Sequence, residues 1–399
     1  MALSAELTSP SPVFALVAGE TSGDQLGAGV IAALKQRFPH ARFVGIGGPA
    51  MMAQGMESWY PMSRLSVMGL FEVLKHLPGL VKIRKRLIRQ LIELNPTAFI
   101  GIDAPDFNFT VEEKLKSHNI PAFHYVGPSV WAWREQRLKK IREQVDGVFV
   151  LFPFEPPLYW HYGIRAKYVG HYMAAETRNA PSKAAARVEW QLPESIAVTG
   201  LLPGSRASEI ATMMPIYLQA ATLLLAKYPT MQFVIPAVHA QAQSRIEGLL
   251  ANLSAQQREH FQVRTGQVET AIAASDQLMV TSGTATLQTA LMQRPFVLAI
   301  KVHPVSYWLM KRLATTDWVG LPNVLAQQTV VPELIQQEAT AANLVRALTP
   351  LIDDAEVRAQ QCAHFARQRD QLDLASSDLV AETLMDWLPG LRASAQGDS

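Results

Sequence analysis

The stretch VFALVAGETSGDQLGAGVIAALKQR, residues 13–37, decides the reading of this chain. Val13–Ala18 is an unbroken apolar run, the pattern of a strand buried on both faces. A helical pattern runs from Asp24 to Arg37, with a glycine-marked turn between the two. The same sentence then repeats. Phe43–Ile46, Thr97–Ile102, Ala122–Val126 and Gly147–Leu151 read as further strands, with helical patterns between several of them. Continuous apolar strands alternating with helices predict a parallel sheet covered on both faces. From Ala174 to Pro193 small residues, charges and two prolines, Pro181 and Pro193, read as a linker. The alternation restarts with strand Ala197–Leu202, helix Ile210–Tyr228, and strands Gln232–Pro236, Gln277–Thr281 and Phe296–Lys301. The expected architecture is α/β, with two Rossmann-like βαβ domains at 1–193 and 194–355. A helical segment, 356–399, is expected to pack back on the first.

Composition sets outer bounds. A chain of 399 residues suits two domains of ~200 residues each. With 49% hydrophobic and 18% charged residues it is neither disordered nor a charge-driven nucleic-acid coat. The single cysteine, Cys362, rules out an internal disulfide and a cysteine-based zinc site, and suits a reducing compartment. Residues 1–12 lack the basic start and apolar core of a signal peptide. The run Ile210–Ala226, broken by Pro215 and Gln219, is short of the ~20 residues a membrane span needs. A soluble, intracellular protein is the expectation. The net charge of +2 hides an asymmetry: residues 1–193 carry 22 Lys/Arg against 16 Asp/Glu, and the remainder 14 against 18.

In doubly wound sheets ligands sit beyond the carboxyl ends of the strands, near the point where strand order reverses. Four loops fall there. Gly19-Glu20-Thr21-Ser22-Gly23-Asp24 follows the first strand. It is neither GxGxxG nor a P-loop. Gly19 and Gly23 let backbone approach a ligand, Ser22 is placed to cap the helix, and Glu20 stays in the loop. Gly45-Ile46-Gly47-Gly48-Pro49 is similar. In the second half, Leu202-Pro203-Gly204-Ser205-Arg206 precedes a helix expected by about Glu209, and Ser282-Gly283-Thr284 opens another. Free N–H groups at helix starts favour anions, and Arg206 adds a forked donor suited to phosphate. Two such starts in one domain point to a nucleotide diphosphate; read blandly, each is a capped helix.

Asp103 directly follows the strand Thr97–Ile102, a good position for a general base. Asp106 and Asn108, just beyond, read as helix caps. No Asp-x-Asp occurs, His124 and His171 are isolated, and no metal or other cofactor is expected. In the turn around Ser129, Trp131, Trp133 and Arg134 offer either a platform for a sugar or acyl group or ordinary packing. Between Arg64 and Ile92 the bulky residues Val67, Met68, Leu70, Phe71, Leu74 and Leu77 precede the basic Lys82, Arg84, Lys85 and Arg86, with Glu72 the one acid. Apolar residues beside a basic cluster suit a helix lying in an anionic membrane surface. Met213 and Met214 could add an apolar contact from the second domain.

Together these motifs resemble the lipid A disaccharide synthases, inverting glycosyltransferases of the GT-B fold, in which two Rossmann-like domains face each other across a cleft. The matching runs are AGETSGD (18–24), MGLFEVL (68–74), GIDAPDFN (101–108), PSVWAWR (128–134), LPGSR (202–206), SGTATL (282–287), KRLATTDWVGLPN (311–323) and VPEL (331–334). The resemblance implies transfer of 2,3-diacylglucosamine from its UDP derivative to 2,3-diacylglucosamine 1-phosphate (lipid X), without metal, in a β-1,6 linkage. It implies Asp103 as base, Glu20 and Asn323 lining the cleft, and Gly204, Ser205, Arg206, Ser282, Gly283, Thr284 and Gln288 on the UDP-sugar. It further implies a cytoplasmic enzyme peripheral on the inner membrane, and the family can dimerise by exchanging C-terminal segments. Nothing points to nucleic acid. Four positions depart from the family pattern: Gln288 for a usual Glu, Gly127 for Ser, Tyr172 for Pro and Gln327 for Gly. Another UDP-GlcNAc-using GT-B enzyme and a non-catalytic lipid-binding relative remain the competing readings.

Overall fold

The computed structural model describes residues 11–65, 70–132, 135–314 and 316–391, with the side chains of 70–77, 306 and 309 outside the description. The chain divides into two compact units, residues 1–172 with 374–399, and residues 173–373.

The first unit follows the repeat seen in the sequence. Its elements are β1 (Val13–Ala18), α1 (Thr21–Arg37), β2 (Arg42–Ile46), α2 (Pro49–Ala53), β3 (Glu57–Ser58), α3 (Leu70–Leu94) and β4 (Ala98–Ile102). Then come α4 (Pro105–Lys116), β5 (Ala122–Tyr125), α5 (Arg137–Gln144), β6 (Gly147–Val150), α6 (Glu155–His161) and β7 (Ala166–Tyr168). All seven strands are parallel, in the order β3-β2-β1-β4-β5-β6-β7. Strand order therefore reverses between β1 and β4. The central strands are buried throughout because helices cover both faces, which is why their sequences do not alternate.

The second unit opens with α7 (Tyr172–Thr177) and α8 (Lys183–Glu189), followed by β8 (Val198–Leu202), α9 (Ala207–Lys227), β9 (Gln232–Ala237) and α10 (Ala240–Leu250). It continues with α11 (Ala255–Arg258), β10 (Phe261–Thr265), α12 (Val268–Ala274), β11 (Gln277–Thr281), α13 (Thr284–Leu291), β12 (Phe296–Ile300) and α14 (Pro304–Leu313). The last elements are α15 (Leu321–Ala326), β13 (Glu333–Ile335), α16 (Ala341–Asp353) and α17 (Ala355–Leu372). The parallel sheet runs β10-β9-β8-β11-β12-β13, reversing between β8 and β11. Helix α9 is long and apolar enough to cross a membrane by length and composition. Here it lies against the sheet, with Met213, Met214 and Tyr217 in the core.

Three expectations shift. The stretch read as a linker from 174 to 193 is α7 and α8, and α8 belongs to the second unit. Its Trp190 is wholly buried against Val198, Val234 and Ala271, and its Arg187 donates to Asp276 at 2.8 Å. The division therefore falls at Tyr172 rather than 193. Helix α17, expected to return to the first domain, stays with the second: Phe365 stacks on Phe296 at 5.6 Å and Gln361 bonds the Phe296 backbone. Only α18 (Ser376–Trp387) joins the first unit, where Trp387 stacks on Phe149 at 5.1 Å and Arg37 pairs with Asp378 and Glu382. Met213 and Met214, read as a surface contact, are 1% and 0% exposed.

Candidate functional site

In the first unit the loops after β1 and β4 emerge side by side at the reversal point. A Cβ on Gly19 would lie 2.9 Å from the Ala104 Cβ, so only glycine lets the two loops touch this closely. Gly23 is buried where α1 begins, and a Cβ there would press on Ala18 at 3.3 Å. Ser22 is no cap: it is the second helical residue, half-buried, and Glu20 occupies the cap position without a side-chain capping bond. Helix α1 thus presents an open N-terminus, with the exposed Glu20 beside it.

Asp103 sits in strained backbone. Its φ is 51°, that of Ala104 is 45° and that of Val126, at the end of the neighbouring β5, is 76°. Such values in non-glycine residues, above all a β-branched one, persist only when surroundings hold them, and they concentrate at functional sites. The holding group is Asn108. Its Nδ2 donates to the Asp103 carbonyl at 2.8 Å, and at longer range to the carbonyls of Val17 (3.3 Å) and Ile102 (3.4 Å). Asn108, read as a helix cap, is instead a wholly buried tie between the ends of β1 and β4. The Asp103 N–H donates to the Tyr125 carbonyl at 2.8 Å. Among the described residues nothing bonds its carboxylate.

Three carboxylates of the first unit escaped the sequence reading. Asp24 accepts N–H bonds from Gly48, Ala50 and Met51 at 2.8, 2.9 and 3.0 Å, so it fills the start of α2 as an internal anion. Glu112 and His124 form a wholly buried pair at 2.8 Å beneath Gly101, and burial raises the Glu112 carboxyl above its ordinary range. Glu155 accepts from Leu151 and Phe152 N–H at 3.1 and 2.8 Å, and burial pushes it up to about 8. Trp131 packs edge-on against Phe152 and Phe154 at 6.0 and 5.2 Å, which favours the packing reading; Ser129 is exposed beside it. Trp133 and Arg134 lie outside the described residues.

In the second unit the loops after β8 and β11 flank the reversal point. Gly204 needs its φ of 106°, and the N–H groups of Ser205 and Arg206 are aimed at one spot. That spot is taken by Glu209 Oε2, at 2.9 and 3.1 Å, while Oε1 pairs with the Arg206 guanidinium at 3.1 Å. This helix start is therefore filled by the chain's own carboxylate, with the Arg206 side chain 81% exposed beyond it. The start of α13 differs. Gly283 has a φ of 148°, a Cβ there would meet nothing within 4 Å, and among the described residues no side chain caps the helix. Ser282 is half-buried, Gly283 and Thr284 are exposed, and Gln288 lies one turn further along.

Asn323 was expected to line the site. It is wholly buried, and its side chain is fully spent: Oδ1 accepts from Val330 and Val331, and Nδ2 donates to the Val331 carbonyl and to Glu333, all at 2.8 Å. Glu333 in turn accepts from Val319 and Gly320 N–H at 2.9 Å. Asn323 thus ties α15 directly to the segment that follows it and, through Glu333, to Val319 and Gly320 ahead of it. Two departures from the family pattern also acquire a context. Gln327 takes the left-handed φ of 51° that glycine would supply, and a Cβ on Gly127 would lie 2.6 Å from Tyr159 Oη. Among the described residues no group of three or more His, Cys, Asp or Glu is placed to hold a metal ion.

In helix α3 the described turns divide cleanly. Leu87 and Leu91 enter the core while Lys82, Lys85, Arg86 and Arg89 are exposed. Arg84 turns inward, donating to the Asp106 carbonyl at 3.1 Å over the Phe107 ring. Val67 and Met68 lie outside the described residues, as do the side chains of Leu70, Phe71, Leu74 and Leu77.

Two parallel sheets with glycine loops at their reversal points define a fold class, the two-domain Rossmann-like GT-B fold. Solved structures agree on the fold. The UDP-GlcNAc 2-epimerase of Neisseria meningitidis bound to UDP-GlcNAc matches at a TM-score of 0.64 and 14% identity, over 94% of this chain and 100% of that one. MurG of Acinetobacter baumannii matches at 0.54 and 13%, over 94% and 100%. Residues 14–384 match the lipid-A-disaccharide synthetase family, and the chain belongs to it. The lipid-A-disaccharide synthase of Hydrogenovibrio crunogenus is 56% identical over 93% of this chain and 98% of its own length. That of Klebsiella pneumoniae is 42% identical over 93% and 97%.

Proposed function

We propose that the enzyme transfers 2,3-diacylglucosamine from its UDP derivative to the 6-hydroxyl of 2,3-diacylglucosamine 1-phosphate, with inversion at the anomeric carbon. The acceptor oxygen forms the new glycosidic bond as the bond to UDP breaks. Asp103 takes the hydroxyl proton, and the electron pair leaves on the diphosphate. A base so placed is worth about 10²–10⁴ in rate. The observation that carries this reading is the Asp103 carboxylate itself: unbonded among the described residues, on a turn whose positive φ is held by a buried asparagine.

The UDP leaving group needs fixed positive partners as its charge develops. The uncapped N–H groups at the start of α13 supply one, and the exposed Arg206 guanidinium a second. In this reading Gln288 bonds a ribose hydroxyl, and Glu20 the acceptor sugar. The basic face of α3, through Lys82, Lys85 and Arg86, suits an anionic bilayer, so the enzyme works as a peripheral protein on the cytoplasmic face of the inner membrane.

A UDP-release assay with each acylated substrate omitted in turn tests the reading. Release should require both, and Asp103→Ala should lose at least ~10²-fold in kcat; robust turnover by that variant refutes the base. The structural likeness to an epimerase bound to UDP-GlcNAc favours one alternative, a non-acylated substrate, and consumption of UDP-GlcNAc alone would establish it.

A further inference from the structure

A helix beside a parallel sheet normally buries one stripe of its surface. Helix α14 does not. Of the side chains described from His303 to Leu313, only Tyr307 is as much as half-buried. Yet its composition is apolar: Val305 is 66% exposed, Trp308 60%, Met310 52% and Leu313 37%. Half of the large exposed hydrophobic side chains described in the second unit lie on this one helix, a concentration that solvent does not favour and that marks an interaction surface.

Its charge says what kind. Lys301 precedes the helix, Lys311 and Arg312 end it, and no acidic residue occurs between Lys301 and Thr316. The Arg312 guanidinium lies over the Trp308 ring at 5.6 Å. Tryptophan beside arginine, flanked by aliphatic groups and uncompensated positive charge, is the composition of helices that lie in the headgroup layer of anionic membranes. A protein partner would need acidic groups to match; an anionic bilayer meets the apolar and the cationic requirement together. The helix follows β12, neighbour of β11, so it leaves the same edge of the sheet as the Ser282–Thr284 loop.

We propose that α14 is a membrane-docking helix of the nucleotide-binding unit, seating Val305, Trp308 and Met310 in an anionic bilayer surface. It rests on the acylated-substrate reading above and adds to it. The basic face of α3 belongs to the first unit, and α14 gives the second unit a contact of its own. A substrate held in the bilayer by its acyl chains would then meet a nucleotide-binding unit that has its own contact with that bilayer.

The test uses the full chain and vesicles of phosphatidylglycerol and phosphatidylethanolamine, with phosphatidylcholine vesicles as the neutral control. Brominated acyl chains should quench wild-type fluorescence more than that of Trp308→Phe. Equal quenching of the two proteins overturns the proposal. The triple variant V305S/W308S/M310S should partition on the order of tenfold less onto anionic vesicles. Lys311→Glu with Arg312→Glu should weaken partitioning by about 25-fold or more on anionic vesicles only, since each basic residue is worth about fivefold there. Turnover on detergent-dispersed substrates should stay within about twofold for the triple variant, because no step of the reaction is assigned to these residues. A raised donor KM with unchanged partitioning would show that α14 grips the substrate's acyl chains instead. Loss of self-association in sedimentation, with unchanged partitioning, would show a protein interface. Either result overturns the proposal. Partitioning and quenching are read without turnover, so an error in the assigned substrates would not alter them, and Trp308→Phe alone suffices should the triple variant fail to fold.

Discussion

Asn108→Ala separates the base from the structure that holds it. The substitution leaves the Asp103 carboxylate intact and removes its tether. One well-formed bond, at 2.8 Å to the Asp103 carbonyl, disappears, together with two longer ones to Ile102 and Val17. The side chain is wholly buried. Losing a buried donor and orphaning its acceptor costs about 1–3 kcal/mol. That corresponds to a fall in Tm of about 3–10 °C for a unit of this size. The kinetic cost has a different origin. The positive φ values of Asp103 and Ala104 each store roughly 1–3 kcal/mol, sustained by the surrounding bonds. With the tether gone the turn relaxes, and a base displaced by ~1 Å loses about 10² in rate. Single-turnover UDP release should therefore show kcat down roughly 10²-fold with the donor KM within about twofold, since Asn108 touches no nucleotide. Thermal unfolding and kinetics measured on one preparation decide the matter. A lower Tm with unchanged kcat would refute the argument and leave Asn108 a purely structural residue.

Three further outcomes are expected. Gln288→Glu restores a charged, bidentate acceptor one turn into α13 and should lower the donor KM by about 5–30-fold; an unchanged KM removes the ribose contact. Gln327→Gly relieves a left-handed φ of 51° and should raise Tm, with a gain of about 1 kcal/mol, measured by urea unfolding; a loss would show that the Gln327 side-chain bond to the Val324 carbonyl outweighs the strain. Glu155 has a folded pKa of about 8 against an ordinary 4.5. The unfolded chain therefore gives up its proton first as pH rises, and stability falls from about pH 4.5 until it levels off near pH 8, by at most ~1.4 kcal/mol per unit. Glu155→Gln should flatten that slope, and an identical pH profile of Tm in the two proteins would contradict it.

The central strands and the four glycine loops were legible because burial on both faces and the need for tight turns leave marks in short windows. Val13–Ala18 and Gln277–Thr281 could hardly be anything else. The edge strands were not legible: Glu57–Ser58 has two residues, and Phe261–Thr265 is half-covered and mixed in character. More instructive is the sorting of the loops. Spacing shows where helix N–H groups will point, but not which carboxylate reaches them first. Of the four glycine-marked helix starts, two are satisfied from within, α2 by Asp24 and α9 by Glu209. An internal carboxylate brings its own charge and pays no association entropy, so a bound anion displaces it only by offering more. The starts of α1 and α13 carry no such side-chain cap. Each stands at the reversal point of its sheet, one beside Asp103 and the other beside Gln288. In each unit, then, one helix start at the reversal point is left without a side-chain cap among the described residues. The same logic explains why Asn323 misled the sequence reading. A polar residue in a matching motif has the same letter whether it faces a ligand or, as here, spends all four of its bonds holding a loop in place.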